Sequence, residues 1–383
     1  MQHIPSGLTL KQFNDSKGYP LYLFLFLCKS RGVLMAKTKI RVLVNGYGVI
    51  GKRVADAVTK QDDMVLVGVS DIAGDWRVKM AIAKGFRVYA SIPEKADGMR
   101  KCGVLVEGTL EELLREGEVD VIVDATPAKV GVKNKQLYER FGVKAVFQGG
   151  EKHEVAGTSF VAQRNYTEAL GKQFVRVVSC NTTAICRVVG GLHEKLGIKK
   201  ARVVIIRRAV DVWESSHAGI MNTVVPSLHV PSHHGPDAKT VIPDLNIVTM
   251  AVKASHNLFH LHTAMLEFKN KVTRDDIIRI LEEEPRVIFV SGEDGIEGLN
   301  SIFELARDTG RPRGDLYEIP VWVDSISVDK TGYEVYLMWA TPNESNVIPE
   351  NIDAIRAMTE LEKEAIKSIE KTDSSLGVLK KLY

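Results

Sequence analysis

Cysteine is scarce in this chain of 383 residues, which carries only Cys28, Cys102, Cys180 and Cys186. Four cysteines at irregular spacing make no disulfide framework, and no Cys-x-x-Cys pair suggests zinc, so a reducing, cytoplasmic setting is expected. An excess of one charge is missing too: 51 Lys and Arg nearly cancel 48 Asp and Glu. No global basic field exists to hold a nucleic acid. Repeats and low-complexity tracts are absent. The apolar run Tyr19 to Cys28, rich in aromatics and leucine, is too short to cross a bilayer. Lys29 and Arg31 follow this run, the reverse of a secretory signal, so neither membrane insertion nor export is expected. What is present is 45% hydrophobic and 26% charged residues, the profile of an ordinary soluble globular protein of about two domains.

Apolar runs at Ile40 to Asn45, Met64 to Ser70, Val119 to Asp124 and Lys144 to Phe147 alternate with helical stretches such as Lys52 to Thr59. The fourth closes on Gln148-Gly149-Gly150. This alternation implies a parallel sheet with helices on both faces. After about residue 180 the texture changes to long β-rich runs, Arg202 to Arg208, Val321 to Val328 and Tyr333 to Ala340, which suit an antiparallel or mixed sheet. Pro349 to Lys371 reads as one long helix, with Ile352, Ile355, Met358, Leu361, Ala365 and Ile369 at helical spacing. The fold class is therefore α/β: a Rossmann domain over residues 37–179, an α+β domain over 180–342, and a C-terminal helix in 343–383 returning to the first domain. Residues 1–36 stand apart as an extension.

The first strand runs into Gly46-Tyr-Gly48-Val-Ile-Gly51 and then a helix, and Asp71 lies 20 positions beyond the last glycine. This is the context of a dinucleotide fingerprint. Gly46 permits the tight turn, Gly48 lets the backbone approach a pyrophosphate, and Gly51 lets helix and strand pack closely, with the helix N-terminus adding partial positive charge. Asp71 can accept both adenosine ribose hydroxyls and would repel a 2′-phosphate, which favours NAD. Arg77 and Lys79 offer a phosphate site that keeps NADP as the alternative.

Ser179-Cys180-Asn181-Thr182-Thr183 follows a strand at Phe174 to Val178 and opens a helix continuing through Ala184 to Lys195. A cysteine at a helix N-terminus is stabilised as the thiolate, the reactive form. The other reading, a buried structural cysteine, fits poorly with these polar neighbours.

From these residues outward the chain resembles archaeal glyceraldehyde-3-phosphate dehydrogenases. The resemblance covers nearly everything from Lys39 to the C-terminus, through N-G-Y-G-V-I-G-K-R-V-A, F-Q-G-G-E-K-H-E, R-V-V-S-C-N-T-T, P-S-H-H-G-P-D and V-I-P-E-N-I-D-A-I-R-A-M. It implies phosphorylating oxidation of D-glyceraldehyde 3-phosphate to 1,3-bisphosphoglycerate with NAD(P), in glycolysis and gluconeogenesis. Cys180 then forms a thiohemiacetal with the aldehyde and a thioester after hydride loss, which inorganic phosphate attacks. His260 pairs with the thiolate and takes the hydroxyl proton, with His262 as its competitor. Substrate contacts fall to Ser179, Asn181, His234 and Gly235, and cofactor contacts to Val49, Ile50, Gly131, Arg208 and Asn343. Two anions need receptors beside the cysteine, and arginines suit them; Arg208 is implicated, whereas Arg207 reads equally as a solvated strand end. The family often carries lysine where Asp71 stands and glutamine where Asn343 stands, and the first difference strengthens the expectation of NAD. A homotetramer follows from the resemblance as well.

The paired histidines His233 and His234 also invite a metal reading, but adjacent rings in a Pro-Gly loop rarely meet one ion and no third ligand has a recognisable spacing, so no metal is expected. Rival readings are another cysteine-dependent semialdehyde dehydrogenase and a dinucleotide-binding protein without turnover; P-S-H-H-G-P-D and Cys180 weigh against them. Met35 just precedes the first strand and is the expected working start. The intact mass of the native protein should match a chain lacking residues 1–34, and a mass that includes them refutes this.

Overall fold

In the computed structural model, which describes residues 39–148, 150–210 and 223–382, Ile40–Asn45 forms a strand, β1, with Val42, Leu43 and Val44 fully buried. The expected extension over residues 1–36, the start at Met35 and Gly149 lie outside the described residues. A strand covered on both faces needs no alternation, which is why β1 reads as unbroken apolar sequence. Seven strands join it: β2 (Met64–Asp71), β3 (Val88–Ala90), β4 (Gly108–Thr109), β5 (Val121–Asp124), β6 (Lys144–Phe147), β7 (Ser159–Phe160) and β8 (Phe174–Val177). All pairs are parallel, in the order β4-β3-β2-β1-β5-β6-β8-β7. The chain proceeds from β1 to β2 on one side and later returns to β5 on the other. Strand order therefore reverses between β1 and β5, and the C-terminal ends of these strands are where such sheets bind ligands.

The second sheet is mixed, as its alternating sequence requires. It contains β9 (Ile198–Arg207), β10 (Val225–Pro226), β11 (Ile247–Lys253), β12 (His260–Phe268), β13 (Val287–Val290), β14 (Ile319–Trp322), β15 (Ser327–Val328) and β16 (Glu334–Thr341). The order is β10-β11-β9-β12-β16-β14-β13, with β15 on β16; β9/β11 and β13/β14 are parallel and the other pairs antiparallel. Along β12, His260, His262, Ala264, Leu266 and Phe268 are buried while the residues between them are more exposed. The buried face is covered by the helix Cys180–Leu196, whose Ile185, Val188, Val189 and Leu192 share one core with Val203, Ile205, Leu266, Leu337 and Trp339.

Two expected elements are interrupted. Val321 to Val328 is not one strand, because a single 3-10 turn at Val323–Ser325 separates β14 from β15. Pro349 to Lys371 is two helices, Ile348–Met358 and Ala365–Leu376. Glu360 adopts φ 53°, and the Leu361 N–H turns back to the Arg356 carbonyl at 3.0 Å, which ends the first helix. The apolar spacing runs through the break because both helices bury their faces in one core: Ile352, Ile355, Met358 and Ile369 pack with Val146, Val175 and Val177 of the parallel sheet.

A buried charge cluster joins the cysteine helix to the first of these C-terminal helices. Arg187 meets Glu350 at 2.5 Å, and Arg286 meets Glu350 at 3.0 Å, Asp353 at 2.6 Å and Asp373 at 2.7 Å. Burial opposes ionisation of Glu350, but Arg187 and Arg286 outweigh it and hold the carboxyl below its ordinary range. Removing Glu350 strands Arg187 and Arg286, both without access to solvent. Glu350→Ala should cost about 3–5 kcal/mol in chemical denaturation, and a loss within about 1 kcal/mol would show that the cluster contributes little.

Candidate active site

At the crevice between β1 and β5, the glycine loop leads into the helix Val49–Thr59. Gly46 has φ 93°, and a Cβ there would lie 2.8 Å from the Ala125 carbonyl. At Gly51 a Cβ would strike the Gly46 carbonyl oxygen, whereas at Gly48 it would meet nothing within 4 Å. The first and third glycines thus serve turn and packing, and the second leaves open space where a diphosphate can approach the backbone. Val49 and Ile50 begin the helix, whose N-terminal amides suit an anion. Asp71 ends β2 and accepts the Tyr47 N–H at 2.7 Å, so its carboxylate is fixed at the loop. Arg77 is held by Asp75, at 2.6 Å, within the same helix start. Gly131 begins the helix Gly131–Phe141 and donates its N–H to Glu151 at 3.0 Å. These residues fit a dinucleotide.

Cys180 is the first residue of its helix, and Ser179 caps it by accepting the Thr182 N–H at 3.3 Å. The Thr182 hydroxyl donates to Asp237 at 2.8 Å, tying the helix start to the short helix His234–Lys239. What reads as a Pro-Gly loop in the sequence is therefore helical from His234 onward. The rings of His233 and His234 lie against each other, with centroids 3.8 Å apart and planes 32° from parallel. Asn346 donates its side-chain N–H to the Cys180 carbonyl at 2.9 Å.

The inner face of the second sheet supplies the other groups. His260 opens β12 opposite Thr341, and the pairing of Leu261 with Ile206 sets His260 level with Arg207. His260 Nδ1 accepts the Arg208 backbone N–H at 3.0 Å, so the neutral ring carries its hydrogen on Nε2. Burial, with Arg208, His262, Arg207 and His234 nearby, lowers its pKa well below the ordinary histidine range. Arg207 is part-buried, not a solvated strand end: burial lowers its pKa while the nearby Cys180 raises it. Its Nε is buried with no hydrogen-bond partner among the described residues. With the Asn343 oxygen turned toward it, Arg208 donates to that amide from Nε at 2.6 Å and from Nη2 at 3.2 Å.

A match to the glyceraldehyde 3-phosphate dehydrogenase C-terminal domain spans residues 179–325, and one to the dihydrodipicolinate reductase N-terminus spans residues 40–181. Curated glyceraldehyde-3-phosphate dehydrogenases are similar over almost their whole length. That of Pyrococcus abyssi is 52% identical over 343 residues, 89% of this chain and 100% of the relative. That of Thermococcus kodakarensis is 51% identical over 342 residues, again 89% of this chain and 100% of the relative, and that of Methanothermus fervidus is 48% identical over 339 residues, 88% and 99% respectively. The chain belongs to the glyceraldehyde-3-phosphate dehydrogenase family.

In this family member the expected site residues fall into two neighbourhoods. Gly46, Gly48, Val49, Ile50, Gly51 and Asp71 share the glycine loop, whereas Ser179, Cys180, Asn181, His234 and Gly235 gather at the cysteine helix with His260 and His262. Arg208 and Asn343 bond each other. Sequence reasoning missed Asn346 and Arg53. Arg53 lies buried in the glycine-loop helix, bridging Asp315 at 2.6 Å and Glu344 at 2.7 Å. Asn346 directly precedes V-I-P-E-N, but nothing in its type or spacing announced a bond to the cysteine carbonyl.

Burial also takes the pKa of His234 to about 2 and that of His262 to about 3. Unfolded histidines titrate near ~6.5, so below that pH the unfolded chain binds protons that the folded chain refuses. Stability therefore falls with acidity between about pH 6.5 and pH 3, by up to about 1.4 kcal/mol per pH unit for each such histidine. Urea denaturation at pH 7, 6 and 5 should show the midpoint dropping; a flat profile would mean that these rings charge within the fold.

Proposed function

We propose that this family member oxidises D-glyceraldehyde 3-phosphate with NAD(P) and inorganic phosphate to 1,3-bisphosphoglycerate, with Cys180 as the nucleophile. The observation that carries the reading is the placement of Cys180 at a capped helix N-terminus beside Arg207. Helix-end charge and guanidinium together favour the thiolate. The thiolate sulfur adds to the aldehyde carbon, and the carbonyl electron pair moves onto oxygen as an alkoxide. His260 offers Nε2–H as a donor to that oxygen, because its Nδ1 is already engaged by the Arg208 amide. Taking a proton, as the resemblance expects of it, would require the other tautomer and the loss of that bond. NAD(P), when bound, supplies the acceptor for the hydride that leaves the former aldehyde carbon. The oxygen pair then re-forms the carbonyl, leaving a thioester on Cys180. A phosphate oxygen attacks it, the carbon–sulfur bond breaks, and the thiolate is regenerated with release of the acyl phosphate.

Arg207 is the candidate anion receptor at the cysteine, and Ser179, Asn181, His234 and Gly235 are the candidate substrate contacts. Gly46, Gly48, Val49, Ile50, Gly51, Asp71, Gly131, Arg208 and Asn343 are assigned to the cofactor. Asp71 favours NAD, since a 2′-phosphate would meet its carboxylate. The same reading divides the chain near Ser179, in line with the two domain matches that meet there. Glyceraldehyde 3-phosphate should drive NAD reduction only with inorganic phosphate present, with kcat/KM for NAD above that for NADP and no turnover in Cys180→Ser. Turnover without phosphate would move the assignment to a non-phosphorylating dehydrogenase, and better kcat/KM with NADP would remove the role given to Asp71.

A cytoplasmic homotetramer completes the reading. Among the described residues no helix is long and apolar enough to cross a membrane. The outer face of the second sheet exposes Met250, Met265, Tyr336 and Met338, an apolar surface suited to a second copy. Light scattering should return four times the chain mass, and a monomer would refute the assembly.

A further inference from the structure

His262, the second buried histidine of β12, has no step in the scheme above. Its ring is fully buried and packs at 60° to Trp339, with centroids 5.1 Å apart. Nε2 lies 2.8 Å from Asn181 Oδ1, an atom that can only accept, so the ring hydrogen sits on Nε2. Nδ1 is left as a buried acceptor with no partner among the described residues. The Asn181 amide is thereby oriented, and its Nδ2 donates to His234 Nε2 at 3.3 Å. His234 must then carry its hydrogen on Nδ1, which donates to Ser232 Oγ at 3.1 Å. Ser232 Oγ donates to Thr249 Oγ1 at 2.8 Å, and Thr249 donates to the Ser232 carbonyl at 2.9 Å. The Gly235 N–H enters the same Thr249 oxygen at 2.9 Å.

Every hydrogen in this chain of bonds points one way. Reversing it would move the His262 hydrogen to Nδ1, a buried donor facing no acceptor, which is disfavoured. One Asn181 Nδ2 hydrogen remains without a partner among the described residues, on the side chain that follows the nucleophile.

We propose that His262 is a positioning residue: it locks the Asn181 amide so that an N–H, not the carbonyl oxygen, is offered to an oxygen of the substrate, and through Asn181 it sets the His234 tautomer. This rests on Cys180 being the nucleophile. Arg207 and the cofactor residues take no part in the chain of bonds, so the effect is confined to the aldehyde substrate.

The test is a cycle of His262→Phe, Asn181→Ala and the double variant, with His262→Gln as a donor-retaining control. His262→Phe should raise KM for glyceraldehyde 3-phosphate about tenfold, as expected for one lost hydrogen bond, with KM for NAD and the rate of Cys180 alkylation by iodoacetamide nearly unchanged. His262→Gln should recover much of the loss, and the double variant should be no worse than Asn181→Ala. An unchanged KM in His262→Phe, additive losses in the double variant, or a glutamine variant as poor as phenylalanine overturns the proposal. If His262→Phe does not fold, His262→Met takes its place in the cycle. Activity persisting in Cys180→Ser would instead remove the underlying reading, which keeps the two failures distinct.

Discussion

Two guanidinium groups without access to water, Arg187 and Arg286, and the carboxylate of Glu350 between them set the geometry on which the rest depends. A charge withdrawn from solvent is tolerated only when paired and hydrogen-bonded. Arg187 reaches that condition through Glu350 and the backbone oxygens of Tyr317 and Asn346, each at 2.8 Å. Glu350 in turn accepts the Ala162 N–H at 2.6 Å. Tyr317 and the Asn346–Glu350 stretch are far apart in the chain, so both terminal nitrogens of the guanidinium are bonded only when both have docked. Arg187 lies two helical turns beyond Cys180. Its placement therefore aligns the helix that presents the thiol with the helix Ile348–Met358, which itself packs on the parallel sheet.

The segment before that helix carries the alignment to the candidate site. Asn343 engages Arg208, Glu344 engages Arg53 of the glycine-loop helix, the Ser345 hydroxyl donates to the Leu316 carbonyl at 2.7 Å, and Asn346 holds the Cys180 carbonyl. Consecutive side chains thus connect the glycine-loop helix, the end of β9 and Cys180. Rigidity of this kind lets a site hold reacting atoms in register without a separate ordering cost.

Much of the plan was legible in the sequence because its signals are local. The glycine loop, the buried parallel strands and the capped start of the cysteine helix each declare themselves within a dozen residues. What was not legible depends on parity and tertiary contact. Arg207 and Arg208 are adjacent, and only the register of β9 against β12 decides that the first approaches the thiol while the second turns to Asn343. His260 and His262 share a face by the two-residue period of a strand, so spacing alone ranks neither. The break at Glu360 left no mark in the apolar pattern, since both helices bury into the same core. The helical start at His234 was hidden by the glycine and proline that follow it.

The two-residue period has a sharper consequence for how this protein comes to be active. If β12 slipped by one position against β9, both imidazoles would turn to the outer surface, and Leu261 and Thr263 would take their places beneath the cysteine helix. No intermediate register leaves one ring in and the other out. Misassembled molecules would therefore lose both rings together, so a slipped population would stand apart from the native one and not grade into it.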